Sequence, residues 1–283
     1  MHRLPSTLLV VLALGCSPQS APQAETSEET TLRAELPAPD VRGEVIKYEV
    51  DGVQLTGFMA YDEDRTGPRP GVIVVHEWWG HNEYARKRAE MLAEMGYTAF
   101  ALDMYGDGKL AQHPEDAQKF MMEVTENLDV AIARFQAARE LLEQHETTDP
   151  ERTAAIGYCF GGAIVLHMAR VGSDLDAVAS FHGDLMARAK VEPGSIHARI
   201  LVAHGADDPF VPVEQIEAFE QEMENVDADL TFIAYPGAVH SFTNPGATEV
   251  GQKFDMPLAH NPEADRSSWS ELDRFLAETF ETG

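Results

Sequence analysis

Alternating apolar and polar positions mark two stretches, residues 44–50 and 53–61, and Asp51-Gly52 lies between them, which is typical of a β-hairpin. Later apolar runs do not alternate and predict strands buried on both faces of a sheet, at residues 70–75, 97–102, 153–156, 177–181, 199–203 and 230–234. Helices are predicted at residues 84–95, 114–124, 128–144, 163–168, 213–224 and 268–280. Strands that alternate with helices predict an α/β domain with three α/β/α layers and a mostly parallel central sheet.

The first 15 residues are typical of a targeting segment. His2 and Arg3 give a polar start, and the apolar run at residues 4–14 is too short for an ordinary membrane-spanning helix. Leu-Ala-Leu-Gly-Cys at residues 12–16 resembles a bacterial lipobox, so we expect residues 1–15 to be a signal peptide, with cleavage before Cys16 and a lipid on its sulfur. A plain secretory signal and an uncleaved anchor are the alternatives.

Residues 16–42 are rich in Pro, Ser, Thr, Ala and Glu and have no apolar period, which predicts a disordered linker. The folded domain is then expected at residues 43–283. Ser17 follows the expected lipid site, and by resemblance to lipoproteins this implies a lipid-anchored protein of the bacterial cell envelope, in the periplasm or at the outer membrane.

Composition narrows the range of partners. The chain has 283 residues, 44% of them hydrophobic, which suits one globular domain plus a tail. Its formal net charge of −27, from 21 Lys and Arg against 48 Asp and Glu, argues against nucleic-acid binding because polyanions would be repelled. The 2 cysteines are Cys16 and Cys159, so a processed N-terminus leaves the domain with one thiol, the pattern of a candidate nucleophile.

The sequence Gly-Tyr-Cys-Phe-Gly-Gly at residues 157–162 lies between a predicted strand and a predicted helix. A strand that turns at once into a helix needs a tight bend, and the glycines allow the backbone to crowd there. Cys159 would stand at the apex, at a helix N-terminus that favours a thiolate. This pattern predicts a nucleophile elbow with cysteine in place of serine; a buried structural cysteine is the alternative.

Acidic and histidine side chains follow two later strands. Asp207 and Asp208 come after the strand at residues 199–203, and His240 comes after the strand at residues 230–234. Because the working residues of open α/β sheets lie at the carboxyl ends of strands, we expect these groups near Cys159. Asp207 stays open as an alternative acid.

Together these motifs resemble the dienelactone hydrolase family over about residues 45–280. The resemblance rests on the hexapeptide around Cys159, on His76-Glu77, on Gly-Ala-Asp-Asp-Pro-Phe-Val-Pro at residues 205–212 and on His240-Ser241-Phe242. It implies an α/β-hydrolase fold with Cys159 as nucleophile, Asp208 as acid and His240 as base. It also implies that Glu77 takes part in activating or gating the thiol.

The chemistry explains these residue types. A thiol attacks a carbonyl as its thiolate, so a base must accept the proton and later return it to the leaving group. A neutral imidazole does this near pH 7, and a carboxylate on its far nitrogen fixes the tautomer. We expect the backbone N–H groups of Phe160 and Trp78 to stabilise the oxyanion.

Several neighbouring side chains are candidates for substrate contacts, namely Trp79, Tyr105, His182, Phe210 and Ser241. A structural histidine with satisfied hydrogen bonds is the alternative for His182. No cofactor is expected. No metal site is expected either, because His76, His81, His182 and His204 lie at scattered strand ends without paired ligand spacing.

The sequence departs from the family where substrate charge matters. Dienelactone-cleaving members hold the substrate carboxylate with two arginines. In this sequence, the stretch that matches the first arginine is residues 103–107, which contains no arginine and includes Asp107, and Asn244 stands at the position of the second. We therefore expect hydrolysis of a small, neutral ester or lactone through a thioester acyl-enzyme, since charge-assisted contacts to an anion are lost. An acyl hydrolase or transferase with a larger acceptor, and a non-catalytic ligand-binding lipoprotein, are the alternatives.

Overall fold

The computed structural model describes residues 39–281. The expected signal peptide, the lipid site at Cys16 and nearly all of the linker lie outside the described residues. The first strand begins at Val41, two residues ahead of the domain boundary expected at residue 43. Among the helices in this part of the chain, none is both long and apolar enough to cross a membrane.

Within the described residues, eight strands form one sheet in the order β1-β2-β4-β3-β5-β6-β7-β8. The first two strands form the predicted hairpin, and β2 pairs antiparallel with β4. All other pairs are parallel. The strands are β1 Val41–Val50, β2 Val53–Asp62, β3 Arg69–Val75, β4 Thr98–Leu102, β5 Thr148–Tyr158, β6 Ala177–Phe181, β7 Arg199–Gly205 and β8 Leu230–Tyr235.

Helices flank this sheet on both faces. They are α1 Glu83–Glu94, α2 Pro114–Thr125, α3 Leu128–Glu143, α4 Phe160–Arg170, α5 Val213–Asn225, α6 Ala247–Phe254 and α7 Pro262–Glu281. The sequence patterns did not predict α6, which has only 8 residues. They also placed the start of α7 six residues late, at residue 268. The helix begins at Pro262, which suits the first helical position, and Asn261 caps it by accepting hydrogen bonds from two backbone N–H groups of the first turn.

Two apolar cores, one on each face of the sheet, define the three layers. In β3, Ile73 and Val75 join the core that includes Phe135 of α3, whereas Val72 and Val74 join the core that includes Leu92 of α1. Successive strand residues point to opposite faces, so a strand covered on both sides carries apolar residues at every position. The predicted α/β/α architecture with a mostly parallel sheet is confirmed.

Candidate active site

The candidate residues lie at one edge of the sheet. Cys159 follows β5, Asp208 follows β7 and His240 follows β8. β5, β6, β7 and β8 are consecutive parallel neighbours, so their carboxyl ends meet at the same edge. The fold therefore brings together residues that are up to 81 positions apart in the sequence.

The turn that carries Cys159 has the geometry of a strained elbow. Cys159 has a φ of 53° and a ψ of −114°, a conformation that L-residues rarely adopt. A Cβ added to Gly157 would lie 2.1 Å from the carbonyl oxygen of Gly161, and one added to Gly161 would lie 2.2 Å from the carbonyl oxygen of Val75. Glycine is therefore required on both sides, because backbone atoms occupy the space that a side chain needs.

Asp208 and His240 form a hydrogen-bonded pair beside Cys159. The Nδ1 atom of His240 lies 2.7 Å from Oδ2 of the fully buried Asp208 side chain. The other carboxylate oxygen of Asp208 accepts the backbone N–H of Phe210 at 2.9 Å, which fixes the carboxylate plane. His240 and Cys159 line the same cavity, and the Cys159 side chain is close enough to raise the pKa of His240. Asp207, the alternative acid, is exposed.

The pKa of His240 reflects the charges around it. Burial alone lowers this pKa, but the charges and hydrogen bonds of Cys159 and Asp208 outweigh it and raise the pKa to about 10. His240 therefore keeps its proton at neutral pH while it lies between Cys159 and Asp208. This differs from the neutral imidazole expected from the sequence, because that expectation used the ordinary pKa of an isolated histidine.

Glu77 is a buried carboxylate beside this set, and its side chain and backbone are only 2% exposed. The Ser241 hydroxyl donates to Oε1 at 2.8 Å, and the Asn244 amide donates to Oε2 at 2.6 Å. Burial raises the pKa of Glu77, and these two hydrogen bonds and the charge of His240 oppose that rise. Ser241 thus contacts Glu77, and so does Asn244, a contact that no sequence motif indicates.

Two backbone N–H groups are candidates for the oxyanion site. Phe160 is the first residue of α4, so its N–H has no acceptor within the helix. Trp78 lies in the loop after β3, and its carbonyl oxygen accepts the Tyr105 hydroxyl at 3.0 Å. The buried His76 ring bonds the carbonyl of Glu77 through Nδ1 and accepts the Met104 N–H at 3.1 Å through Nε2. The hydrogen bonds of Tyr105 and His76 therefore fix the position of the loop that holds Trp78.

Cys159 opens into a cavity of about 260 Å³. Its wall is mostly apolar and is formed by Trp78, Met121, Thr125, Phe160, Ala163, Asp184, Arg188, Phe210, His240, Met256 and Leu258. Phe210 contacts the edge of His240, with ring centroids 5.0 Å apart. Arg188 pairs with Asp184 at 2.7 Å, so the charges of these two wall residues cancel. Such a cavity suits a small neutral ligand.

The other expected substrate contacts lie elsewhere. Trp79 and Ser241 line a second cavity of about 390 Å³. Tyr105 and His182 are buried at 2% and 0% exposure, and neither lines the Cys159 cavity. Of the five residues expected to contact substrate, the structure places Phe210 in the wall beside Cys159.

The described residues contain no group of three or more His, Cys, Asp or Glu side chains positioned to hold a metal ion. The four histidines considered for that role instead serve different parts of the fold. His76 braces the loop after β3, and the ring of His204 contacts Phe232 of β8.

The chain is similar in sequence and fold to several known proteins. A model of the dienelactone hydrolase family matches residues 55–280. Protein usf of Aquifex pyrophilus is 30% identical over 213 residues, which cover 74% of this chain and 90% of that protein. A putative carboxymethylenebutenolidase of Aquifex aeolicus is 28% identical with the same coverage. The crystal structure of a dienelactone hydrolase-like promiscuous phosphotriesterase from metagenomic libraries is 33% identical, with a TM-score of 0.80 over 84% of this chain and 98% of the other.

Proposed function

The chain belongs to the dienelactone hydrolase family and is a carboxylic ester hydrolase, and we propose that it cleaves small neutral esters or lactones through a Cys159 acyl-enzyme. One observation carries this proposal. His240 is hydrogen-bonded to the buried Asp208 and lies with Cys159 in the wall of one apolar cavity. A nucleophile, a base and a group that orients the base are the parts that acyl transfer needs.

In the acylation step, the Cys159 thiolate attacks the carbonyl carbon of the ester. The carbonyl oxygen takes up the negative charge, and the N–H groups of Phe160 and Trp78 stabilise it, by about 3 kcal/mol each in comparable enzymes. The C–O bond then breaks, and the alkoxide leaves with the proton that His240 held. A thioester on Cys159 and a neutral His240 remain.

In the second step, His240 accepts a proton from water as the oxygen of that water attacks the thioester carbonyl. The tetrahedral intermediate collapses, the C–S bond breaks and the thiolate leaves. The acid is released, and His240 is again protonated beside the thiolate. Asp208 accepts the Nδ1 hydrogen bond of His240 and holds the imidazole so that Nε2 faces the reacting atoms.

The charges of the cavity wall indicate whether a neutral or an anionic substrate is preferred. The charges of Arg188 and Asp184 cancel, and the Asn244 amide is already bound to Glu77. An anionic substrate therefore meets no unpaired cation among these groups, whereas a neutral ester loses little on entering an apolar cavity. We propose that neutral acyl groups are preferred.

The test compares a neutral short-chain aryl ester with an anionic dienelactone, using the wild-type chain and Cys159→Ala. We expect turnover of the neutral ester, kcat/KM at least tenfold lower for the lactone, and no turnover by Cys159→Ala. Efficient lactone cleavage would contradict the charge argument. Faster release of ester product with an added alcohol than with water would favour the transferase. Tight ligand binding without turnover would favour the binding protein.

A second candidate activity rests on the 33% identical structure, whose protein is described as a promiscuous phosphotriesterase. A neutral phosphotriester has a phosphoryl oxygen that the same N–H groups would face when the Cys159 thiolate attacks phosphorus. The measurement is aryl alcohol release from a neutral aryl phosphotriester, and no release above the Cys159→Ala background would dismiss this activity.

We also propose that the chain is exported and anchored in the cell envelope through a lipid on Cys16. The support is the sequence of residues 12–16. Expression in a bacterial host with labelled fatty acid tests it: the wild-type chain should carry label in the membrane fraction, and Cys16→Ser should not. An unlabelled wild-type chain would contradict the anchor.

A further inference from the structure

His182 lies immediately after β6, next to the elbow. Tyr158 pairs with Phe181 in the register of β5 and β6, so His182 and Cys159 are the next residues of two adjacent strands. Both have a positive φ, 41° for His182 and 53° for Cys159. Two strained residues side by side require support from their surroundings, and such strain is concentrated at functional sites.

A hydrogen bond joins His182 directly to Cys159. The backbone N–H of Cys159 points to Nδ1 of His182 at 3.1 Å and to the carbonyl oxygen of Phe181 at 3.0 Å. An amide can only donate, so Nδ1 must be the unprotonated nitrogen of the ring. The ring proton is therefore on Nε2, which faces the Thr243 hydroxyl at 2.7 Å.

This hydrogen bond continues into a buried chain. The Thr243 hydroxyl lies 2.7 Å from the Tyr84 hydroxyl, which accepts from Nε of Arg88 at 3.3 Å. Thr243 is in the same loop as His240, three residues later, and is 1% exposed. One chain of bonds thus connects the nucleophile's backbone to the loop that carries the base.

The ring of His182 also contacts the base. It packs edge-to-face against His240, with centroids 5.3 Å apart, and against Phe242 at 5.4 Å. Burial, together with the charges of His240 and Arg88, holds the pKa of His182 well below its ordinary value. The ring is therefore neutral, and it places no second positive charge beside the protonated His240.

We propose that His182 is a positioning residue that sets Cys159 and His240 in reacting geometry, through the Cys159 N–H on one nitrogen and Thr243 on the other. This inference rests on the proposed function, because it assigns Cys159 and His240 the reacting roles. Misplacement of reacting groups by about 1 Å costs about 100-fold in rate, so loss of this support should lower kcat much more than it changes KM.

The test uses three variants of the full chain. His182→Asn keeps a carbonyl oxygen near the position of Nδ1, so we expect kcat within about fivefold of wild type, whereas His182→Leu keeps no acceptor and should lose about 100-fold with KM within about threefold. Thr243→Val removes the partner of Nε2 and should lose about tenfold. His167→Leu is the matched control, because His167 is a buried histidine of α4 whose ring nitrogens have no hydrogen-bond partner within residues 39–281.

A second readout is the rate at which iodoacetamide alkylates Cys159, measured on its own peptide by mass spectrometry so that Cys16 does not interfere. His182→Leu should slow this alkylation, and His182→Asn should restore it. If Cys159 is alkylated more slowly in His182→Leu than in wild type and His182→Asn, but the wild-type chain cleaves no ester, the positioning role stands and the proposed hydrolysis fails. If His182→Leu alkylates and turns over like His167→Leu, or if His182→Asn is as impaired as His182→Leu, the positioning role is wrong. Should His182→Leu not fold, Thr243→Val and His182→Asn decide by the same comparison.

Discussion

Asp208→Asn is expected to lower kcat/KM for a neutral ester by about 10- to 10,000-fold. The smaller loss comes from the hydrogen bond between Asp208 and His240, since a bond to a charged group contributes about 1.5–3 kcal/mol. At about 1.4 kcal/mol for each tenfold in rate, that bond alone accounts for roughly 10- to 150-fold. The larger loss comes from the tautomer, because the equivalent change in a serine protease costs about 10,000-fold.

The substitution is nearly isosteric, and the structure shows which atoms it changes. Oδ1 of Asp208 accepts the Phe210 N–H, and an asparagine can keep that bond with its own oxygen. Its NH₂ group then faces Nδ1 of His240, which must give up its proton and become an acceptor. The neutral imidazole would carry its proton on Nε2, toward Cys159, and would be unable to accept another.

The assay measures steady-state ester hydrolysis, with thermal unfolding to show that the variant is folded. Asp207→Asn is the matched control, because Asp207 is the adjacent residue and is exposed. It should stay within about twofold of wild type, as surface changes usually do. Retention of activity within threefold in Asp208→Asn, or an equal loss in Asp207→Asn, would refute Asp208 as the acid.

Three more changes test other parts of the site. Because the pKa of His240 is raised to about 10, the rate of acylation should stay level from pH 7 and decline only near pH 10. The proton on His240 also stabilises the folded state, and this contribution to the free energy of unfolding is full below pH 6.5 and is lost as the pH rises through 10. A decline of the pH–rate profile near pH 6.5 would contradict that pKa. Gly157→Ala should lower the free energy of unfolding by about 3 kcal/mol and reduce the Tm, because its Cβ would meet the Gly161 carbonyl at 2.1 Å; an unchanged Tm would show that the turn can relax. Glu77→Gln removes a charge that favours the protonated His240, so alkylation of Cys159 should slow, and faster alkylation would instead support a gating carboxylate.

The sheet, and the edge of it at which the candidate site residues lie, were predictable from the sequence because both depend on local patterns. A strand covered on both faces is apolar at every position, as in β3, and the residue that follows such a strand lies at the carboxyl edge of the sheet. The glycines around Cys159 were equally informative, since the backbone of Gly161 and Val75 fills the space beside them.

Side-chain direction was not predictable in the same way. Tyr105 and His182 follow strands at the correct edge, but Tyr105 turns back to bind the Trp78 carbonyl and His182 turns back to accept the Cys159 N–H. The role of Asn244 depends on its contact with Glu77, 167 residues away in the chain. The short helix α6 was missed because 8 residues give too few turns for a periodic pattern to appear.

The most direct measurement of the central claim is the mass of the chain quenched in acid during turnover of a slow neutral ester. The account predicts a transient increase equal to the acyl group, located on the peptide that contains Cys159. Cys159→Ala should show no adduct. Hydrolysis at the wild-type rate by Cys159→Ala, or an acyl group on another residue of the wild-type chain, would contradict a thioester at Cys159.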